Sequence, residues 1–338
     1  MAYEVSGSIA AGNVVSTFVP ARASTFTRGG IPSPNGAKIA ASSYRHGGAG
    51  SDDYGIDIWH SGSSGWEEAE SIDTGSPLPY AILWYDDNTL FTAESDNKLR
   101  SYTSGSGGWT ALERGSLRSA TNQHMFWSPG KTRLITTNNN SNAPANDDFA
   151  TVLTSGSTTW GAFIIGISIV QAKISAVTWP SENDLIIGMS EYDTSAGMIK
   201  HLRYDGSSDW NEVSRSVGFN SNSSNTKQLG TMVYYNTGSN ELLIGANTAN
   251  DASPVINVIQ SSSEGYFPAD GSNLHLAGSP IRTVIDHSVM GITSADYPPD
   301  GLRSFNGLSL FPDRSDGNRF FVHTTAQKAT PYLSLIHI

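Results

Sequence analysis

The 338 residues carry 20 basic and 31 acidic side chains, a formal charge of −11, which argues against nucleic acid and anionic membrane surfaces as partners. Cysteine is absent, so disulfides and thiolate metal sites are excluded. Only 15% of residues are charged and 34 are glycine, a mix suited to many short strands joined by polar turns rather than to helices.

Taken in order, the first 23 residues form a segment of their own, expected as an N-terminal arm or a closing strand, with one strand-like piece at Val14–Val19. The segment has no basic start and no long apolar core, so it does not read as a signal peptide, and no apolar run is long enough for a transmembrane helix. A soluble protein without membrane insertion is the expectation.

From residue 24 onward a unit repeats. GIDIWHSGSSGW (Gly55–Trp66) returns as LRSYTSGSGGW (Leu99–Trp109), ATVLTSGSTTW (Ala150–Trp160), IKHLRYDGSSDW (Ile199–Trp210) and INVIQSSSEGY (Ile256–Tyr266), and more loosely as LSLFPDRSDGNRF (Leu308–Phe320). Gly62, Gly105, Gly156 and Gly206 each stand four residues before a Trp. The anchors Trp66, Trp109, Trp160, Trp210, Tyr266 and Phe320 are spaced 43, 51, 50, 56 and 54 residues apart, the period of a four-stranded propeller blade.

Each repeat yields four strand signals. They fall at Thr25–Ile31, Ala37–Ser43, Gly55–His60 and Trp66–Ile72, then at Tyr80–Tyr85, Thr89–Glu94, Lys98–Thr103 and Trp109–Arg114. The third set is His124–Trp127, Arg133–Asn138, Phe149–Thr154 and Trp160–Ile165, and the fourth Ile174–Trp179, Leu185–Ser190, Met198–Tyr204 and Trp210–Ser216. Repeat five offers Thr231–Tyr235, Glu241–Ala246, Val255–Gln260 and a weaker strand from Tyr266. The degenerate repeat six offers Ser288–Ile292, Leu302–Phe305, Leu308–Phe311 and Phe320–Thr325.

Turns such as SPNG (Ser33–Gly36) and SPG (Ser128–Gly130) separate the first two strands, Pro presetting φ and Gly accepting a positive one. Second strands such as LIIGM are continuously apolar, as strands buried on both faces are. The expected fold is an all-β propeller over residues 24–332 with about six four-stranded blades, and a seventh beyond Tyr332 stays open. The last six residues, LSLIHI, match the translation of a common sequencing adapter, so 333–338 is expected to be a non-native tail.

The layout of aromatic, Ser/Asn-Pro-x-Gly turn, apolar second strand and S-G-S-x-x-W resembles integrin-type FG-GAP propellers and fungal fucose-lectin propellers. IKHLRYDGSSDWNE (Ile199–Glu212) carries the likeness to the lectins, and SPNGAKIAASSYRHGGAGSDDYGIDIWHSGSSGWEEAE (Ser33–Glu70) that to the FG-GAP type. Both likenesses imply binding rather than catalysis. The calcium loops of the FG-GAP type need several alternating acids, which SPNG and SPG lack, so no cofactor is expected. Asp52, Asp53 and Asp57 are the best acidic cluster for a cation, and no metal site is assigned.

In a four-stranded meander the 1–2 and 3–4 turns emerge at one end, and the 2–3 loops and inter-blade links at the other. The second set is long and irregular here, at Tyr44–Tyr54, Asn139–Asp148, Glu191–Gly197, Thr248–Pro254 and Thr293–Gly307. Loops on a rigid scaffold are favoured sites of recognition. The candidate ligand-binding residues are Tyr44, Arg45, His46, Asp53, Tyr192, Asp193, Asp296 and Tyr297, since aromatic faces beside Arg and carboxylates suit sugar rings and hydroxyls. The Trp anchors read as inter-blade packing rather than as exposed stacking platforms.

Glu94 and Glu191 lie near second-strand ends and Asp286 near an inner strand, but nothing pairs them, and no nucleophile elbow or phosphate loop is present. The expected function is therefore non-enzymatic recognition of a glycan or cell-surface receptor, with the chain displayed extracellularly or on a virion or phage appendage. The alternatives are a structural or protein-interaction propeller contacting other assembly proteins, and, ranked last, a glycoside hydrolase or sialidase-like enzyme.

Overall fold

The computed structural model describes residues 4–9, 26–46, 52–63, 65–117, 122–138, 150–156, 160–165, 172–191, 197–206, 210–217, 229–235, 241–247, 254–260, 282–285, 308–312, 319–325 and 331–337. All regular elements among them are strands, arranged in antiparallel four-stranded sheets. The fold is all-β. The chain divides into two compact units, one of residues 14–140 and 147–168, the other of 1–13, 141–146 and 169–338.

The first unit holds three meanders. They are β2 (Phe26–Pro32), β3 (Lys38–His46), β4 (Asp52–Gly62) and β5 (Gly65–Gly75); β6 (Pro79–Asp86), β7 (Thr89–Glu94), β8 (Lys98–Gly105) and β9 (Gly108–Ser116); and β10 (Asn122–Trp127), β11 (Arg133–Asn138), β12 (Ala150–Thr154) and β13 (Gly161–Ile165). Within each sheet the spatial order is the chain order. β6 packs against β2, β3 and β4, and β10 against β6 and β7, so sheets succeed one another face to face.

The middle sheet explains why its second strand is apolar without alternation. Along β7, Leu90 turns toward the preceding sheet and joins Ala40, Ile56, Ile58, Ile72, Ile82, Trp84 and Tyr102. Phe91 and Ala93 turn the other way, to Leu99, Leu117, Met125, Leu134, Leu153 and Trp160. Burying one such Leu removes it from water for about 1.5–3 kcal/mol, so a strand filled on both faces is a major source of cohesion.

Two indoles tie the layers together. Trp84 Nε1 donates to Ile31 O at 2.9 Å, and Trp127 Nε1 donates to Trp84 O at 2.9 Å. Two of the Trp residues that precede or open a fourth strand, Trp109 and Trp160, also pack inward. Trp160 is buried, 5.3 Å from Phe91 and 5.6 Å from Trp127 between ring centroids. Trp109 is half-buried, 6.4 Å from Trp84, and donates to Glu70 Oε2.

The second unit holds the meander β14 (Ala172–Ser181), β15 (Asp184–Glu191), β16 (Gly197–Tyr204) and β17 (Trp210–Val217), then β18 (Leu229–Tyr235), β19 (Glu241–Asn247), β20 (Pro254–Gln260) and β21 (Arg282–Ile285). Ile174, Leu185, Ile186, Ile187 and Ile199 are buried in the first of these, where Trp179 meets Trp210 edge-on at 5.6 Å. The remaining sheet has the order β1 (Glu4–Ile9), β24 (Pro331–His337), β23 (Arg319–Thr325), β22 (Leu308–Pro312).

Several strand expectations are corrected. The partner of β20 is Arg282–Ile285, not a strand opening at Tyr266, which lies outside the described residues. Leu308–Pro312 and Arg319–Thr325 are the first two strands of their sheet, not its last two, because β24 and β1 complete it. Phe320 therefore pairs with Pro312 and Ile336 inside a second strand rather than opening an outer one. The expected strands Val14–Val19, Ser288–Ile292 and Leu302–Phe305 lie outside the described residues. Residues 333–337 of the expected tail lie in β24, where Leu333 stands opposite both His323 and Ile9.

Candidate functional site

The two ends of the sheets are built differently in the first unit. At the turn end, Ser33 organises its turn: its amide donates to Lys38 O, its carbonyl accepts from Gly36 N, and its hydroxyl accepts from Lys38 N. Ser128 repeats this with Arg133 and Lys131. Gly36 needs its positive φ of 74°, which a side chain would strain. Successive turns are bonded together, Asn35 N donating to Asp87 Oδ1 at 2.9 Å and Lys131 Nζ to Tyr85 O. The 3–4 turns join the same end through Ser61 N to Ala37 O, Ser104 N to Asn88 O and Ser155 N to Thr132 O, each 2.9 Å.

The opposite end carries the 2–3 hairpins and the links. There β3 and β4 stay paired to their tips, with Tyr44 opposite Tyr54, Arg45 opposite Asp53 and His46 opposite Asp52. The loop expected at Tyr44–Tyr54 is thus shorter, since the backbone ladder runs on through polar residues and leaves only 47–51 between the strands. Tyr44, Arg45, His46 and Asp53 are brought to one strand end, as strand residues rather than loop residues. Tyr192, Asp193, Asp296 and Tyr297 lie outside the described residues; Glu191 ends β15 opposite Ala172.

The suggested acidic cluster is spread along β4. Asp52 and Asp53 open the strand, whereas Asp57 lies four residues beyond Asp53, about 13 Å at strand rise. Asp57 is fully buried and accepts a hydrogen bond from Ser71 Oγ at 3.1 Å.

In the next sheet the same end contains a cluster that sequence reading did not assemble. Glu94 closes β7 and is 1% exposed. Its carboxylate accepts from Thr92 Oγ1 at 2.7 Å, from Tyr102 Oη at 2.7 Å and from Arg100. Arg100 also forks onto Asp96, at 3.0 Å to Oδ1 and 2.6 Å to Oδ2. Burial pushes the Glu94 carboxyl up, against the Thr92, Tyr102 and Arg100 contacts that hold it down. Asp96, in spite of some desolvation, is held below its ordinary value by Arg100. Burial and the adjoining Glu94 charge raise the Tyr102 phenol.

One signal in the sequence pointed this way. Thr92 and Glu94 alternate on β7, Arg100 and Tyr102 alternate on β8, and the short SDN turn fixes the register that puts Thr92 opposite Arg100. Glu94 meets a cation and two hydroxyls rather than a second carboxylate, which makes it an anchor for the turn.

A second polar cluster lies at the turn end of β14–β15. Asp184 accepts from Ser181 Oγ at 2.7 Å and Arg203 Nε at 2.7 Å, and it lies 2.9 Å from His201 Nε2. In spite of partial burial, His201, Ser181 and Arg203 hold its carboxyl far below the usual range.

No protein-family model matches the chain, and no curated protein matches it in sequence.

Proposed function

We propose that the chain is a β-propeller recognition module that binds carbohydrate through the end bearing its 2–3 hairpins. The observation that carries this reading is the pairing of Tyr44, Arg45 and His46 with Tyr54, Asp53 and Asp52 at the tip of one hairpin. These aromatic, cationic and acidic residues thereby stand at paired positions on two hydrogen-bonded strands. Residues held on such a ladder lose little backbone entropy on binding a sugar ring and its hydroxyls.

In this reading each four-stranded sheet is one blade, six in all, and β1 completes the last. Display outside a cell or on a virion goes with a glycan ligand and forms part of the proposal. The test is a glycan array probed with the intact chain and with Tyr44→Ala and Arg45→Ala. Retained folding with at least about tenfold weaker binding in either variant supports the reading, that being the loss expected for a removed aromatic or charged contact of ~1.4 kcal/mol. A folded chain that binds no glycan, or variants that bind unchanged, would overturn it.

A further inference from the structure

The turn Glu94–Asn97 does more than reverse the chain. Ser95 N donates to Leu78 O at 2.9 Å and Ser95 Oγ accepts from Leu78 N at 2.9 Å, which fastens the turn to the link entering this sheet. Asn97 O accepts from Leu117 N at 2.7 Å, which fastens it to the link leaving the sheet. Asn97 sits at φ 65° and closes the turn by donating its amide to Glu94 O at 3.1 Å. A left-handed Asn is tolerated but not preferred, so the surrounding bonds must hold it there. Leu117 in turn seats its side chain in the core between this sheet and the next.

Beneath the turn lies the bridge Glu94–Arg100–Asp96. We propose that this bridge is a proton-releasable clamp: with Glu94 ionised it locks turn 94–97 and, through it, both links of the sheet, and protonation of Glu94 lets the turn go. The inference does not depend on what the hairpin end binds.

The chemistry follows from the burial of the two partners. Glu94 is 0% exposed at its side chain and Arg100 21% exposed, so the guanidinium is partly desolvated and relies on both carboxylates. A neutral Glu94 keeps its contacts with the Thr92 and Tyr102 hydroxyls, but it no longer compensates the cation. Arg100 then follows Asp96, which is 36% exposed, toward water. The turn loses the brace that ran from Asp96 through Arg100 to Glu94, and the left-handed Asn97 is free to relax.

Other charges leave the assignment to Glu94 intact. On β8, Lys98 is engaged by Glu113 at 2.7 Å. β6 offers Tyr80 and β10 offers His124 as titratable groups, and the charge acting on Glu94 is that of Arg100. The preceding sheet brings His60 and Glu70, paired at 3.4 Å, and Glu70 is also held by Trp109 Nε1 toward the turn end.

The experiment is residue-resolved amide hydrogen exchange of the intact chain across a pH series, corrected for the intrinsic rate at each pH, with Glu94→Gln beside it. Gln is the isostere of the neutral carboxyl. In the wild type the amides of Ser95, Asn97 and Leu117 are expected to lose protection by about tenfold or more on acidification, while Phe91 and Leu99 in the paired strands hold theirs. Glu94→Gln should show the loosened turn already at neutral pH, with its pH dependence gone. Equal protection in Glu94→Gln, or acid loosening that persists in it, overturns the proposal. Should Glu94→Gln fail to fold, Arg100→Lys keeps the cation but removes the fork, and an unchanged Asn97 amide in that variant overturns the proposal equally. A Glu94 carboxyl that titrates apart from the Asn97 amide shift does the same.

Discussion

Trp84 and Trp127 illustrate how much a single side chain does in this fold. Each fills a layer between sheets and spends its one donor on a backbone carbonyl of the sheet before it. A buried indole left without that partner would cost about 1–3 kcal/mol beyond its packing. Gly115 shows the opposite requirement, an absence of side chain. A Cβ there would stand 3.2 Å from Trp160 O, where Trp160 N already donates to Arg114 O at 2.6 Å. Asp184 allows a test at this scale. Its folded carboxyl titrates below the ordinary 3.8, so its stabilising share is present above that value and is lost as pH falls through the folded value. Thermal midpoints of Asp184→Asn should lie below wild type at neutral pH, and the gap should close below about pH 4. A gap that is constant down to pH 2 would deny Asp184 this role.

At the scale of elements, the strands were legible where two signals coincided. A tight turn between the first two strands, Ser33–Gly36 or Asp86–Asn88, and a small-polar turn followed by Trp before the fourth frame β2–β9 within a few residues, because turn chemistry and alternation then agree. Where only one signal remained, the phase was lost. Phe320 resembled an aromatic that opens a fourth strand, yet hydrogen-bond register made it part of a second strand, and spacing alone cannot express register. β21 is four residues, RTVI, with no aromatic opener, so nothing in it competed with Tyr266. The candidate site was half legible for a related reason. Polar residues such as Tyr44–His46 look like loop, but the ladder to Asp52–Tyr54 is made by backbone and continues regardless. The Glu94 bridge stayed hidden because its members, Glu94, Asp96 and Arg100, are separated along the chain and only a hairpin brings them together. β1 offers the prediction at this scale. It forms one edge of a four-stranded sheet against β24, so removing residues 1–9 strips one neighbour from β24. A fall in thermal midpoint of several degrees or more is expected, since each kcal/mol lost shifts the midpoint by about 2–4 °C in chains of this order of size. An unchanged midpoint would show that the pairing contributes nothing to stability.

Across the whole molecule, a charge of −11 sets a preference before any contact is made. Negative potential raises the approach barrier for polyanions and leaves neutral sugars untouched. On the glycan array, sulfated and other polyanionic glycans should therefore bind more weakly than neutral relatives at low salt, and the difference should shrink as ionic strength rises and the screening length falls toward ~8 Å. Strong binding to polyanions at low salt would instead point to a local cationic site that outweighs the net charge.

The indole bonds have a further consequence. Trp84 and Trp127 address the backbone of the preceding sheet, and a carbonyl is present whatever residue stands there. Docking of one sheet on the next is to that extent indifferent to sequence. Among these three sheets a repeat can be diversified in its hairpins while the same handhold serves, so variation and assembly are governed by different atoms.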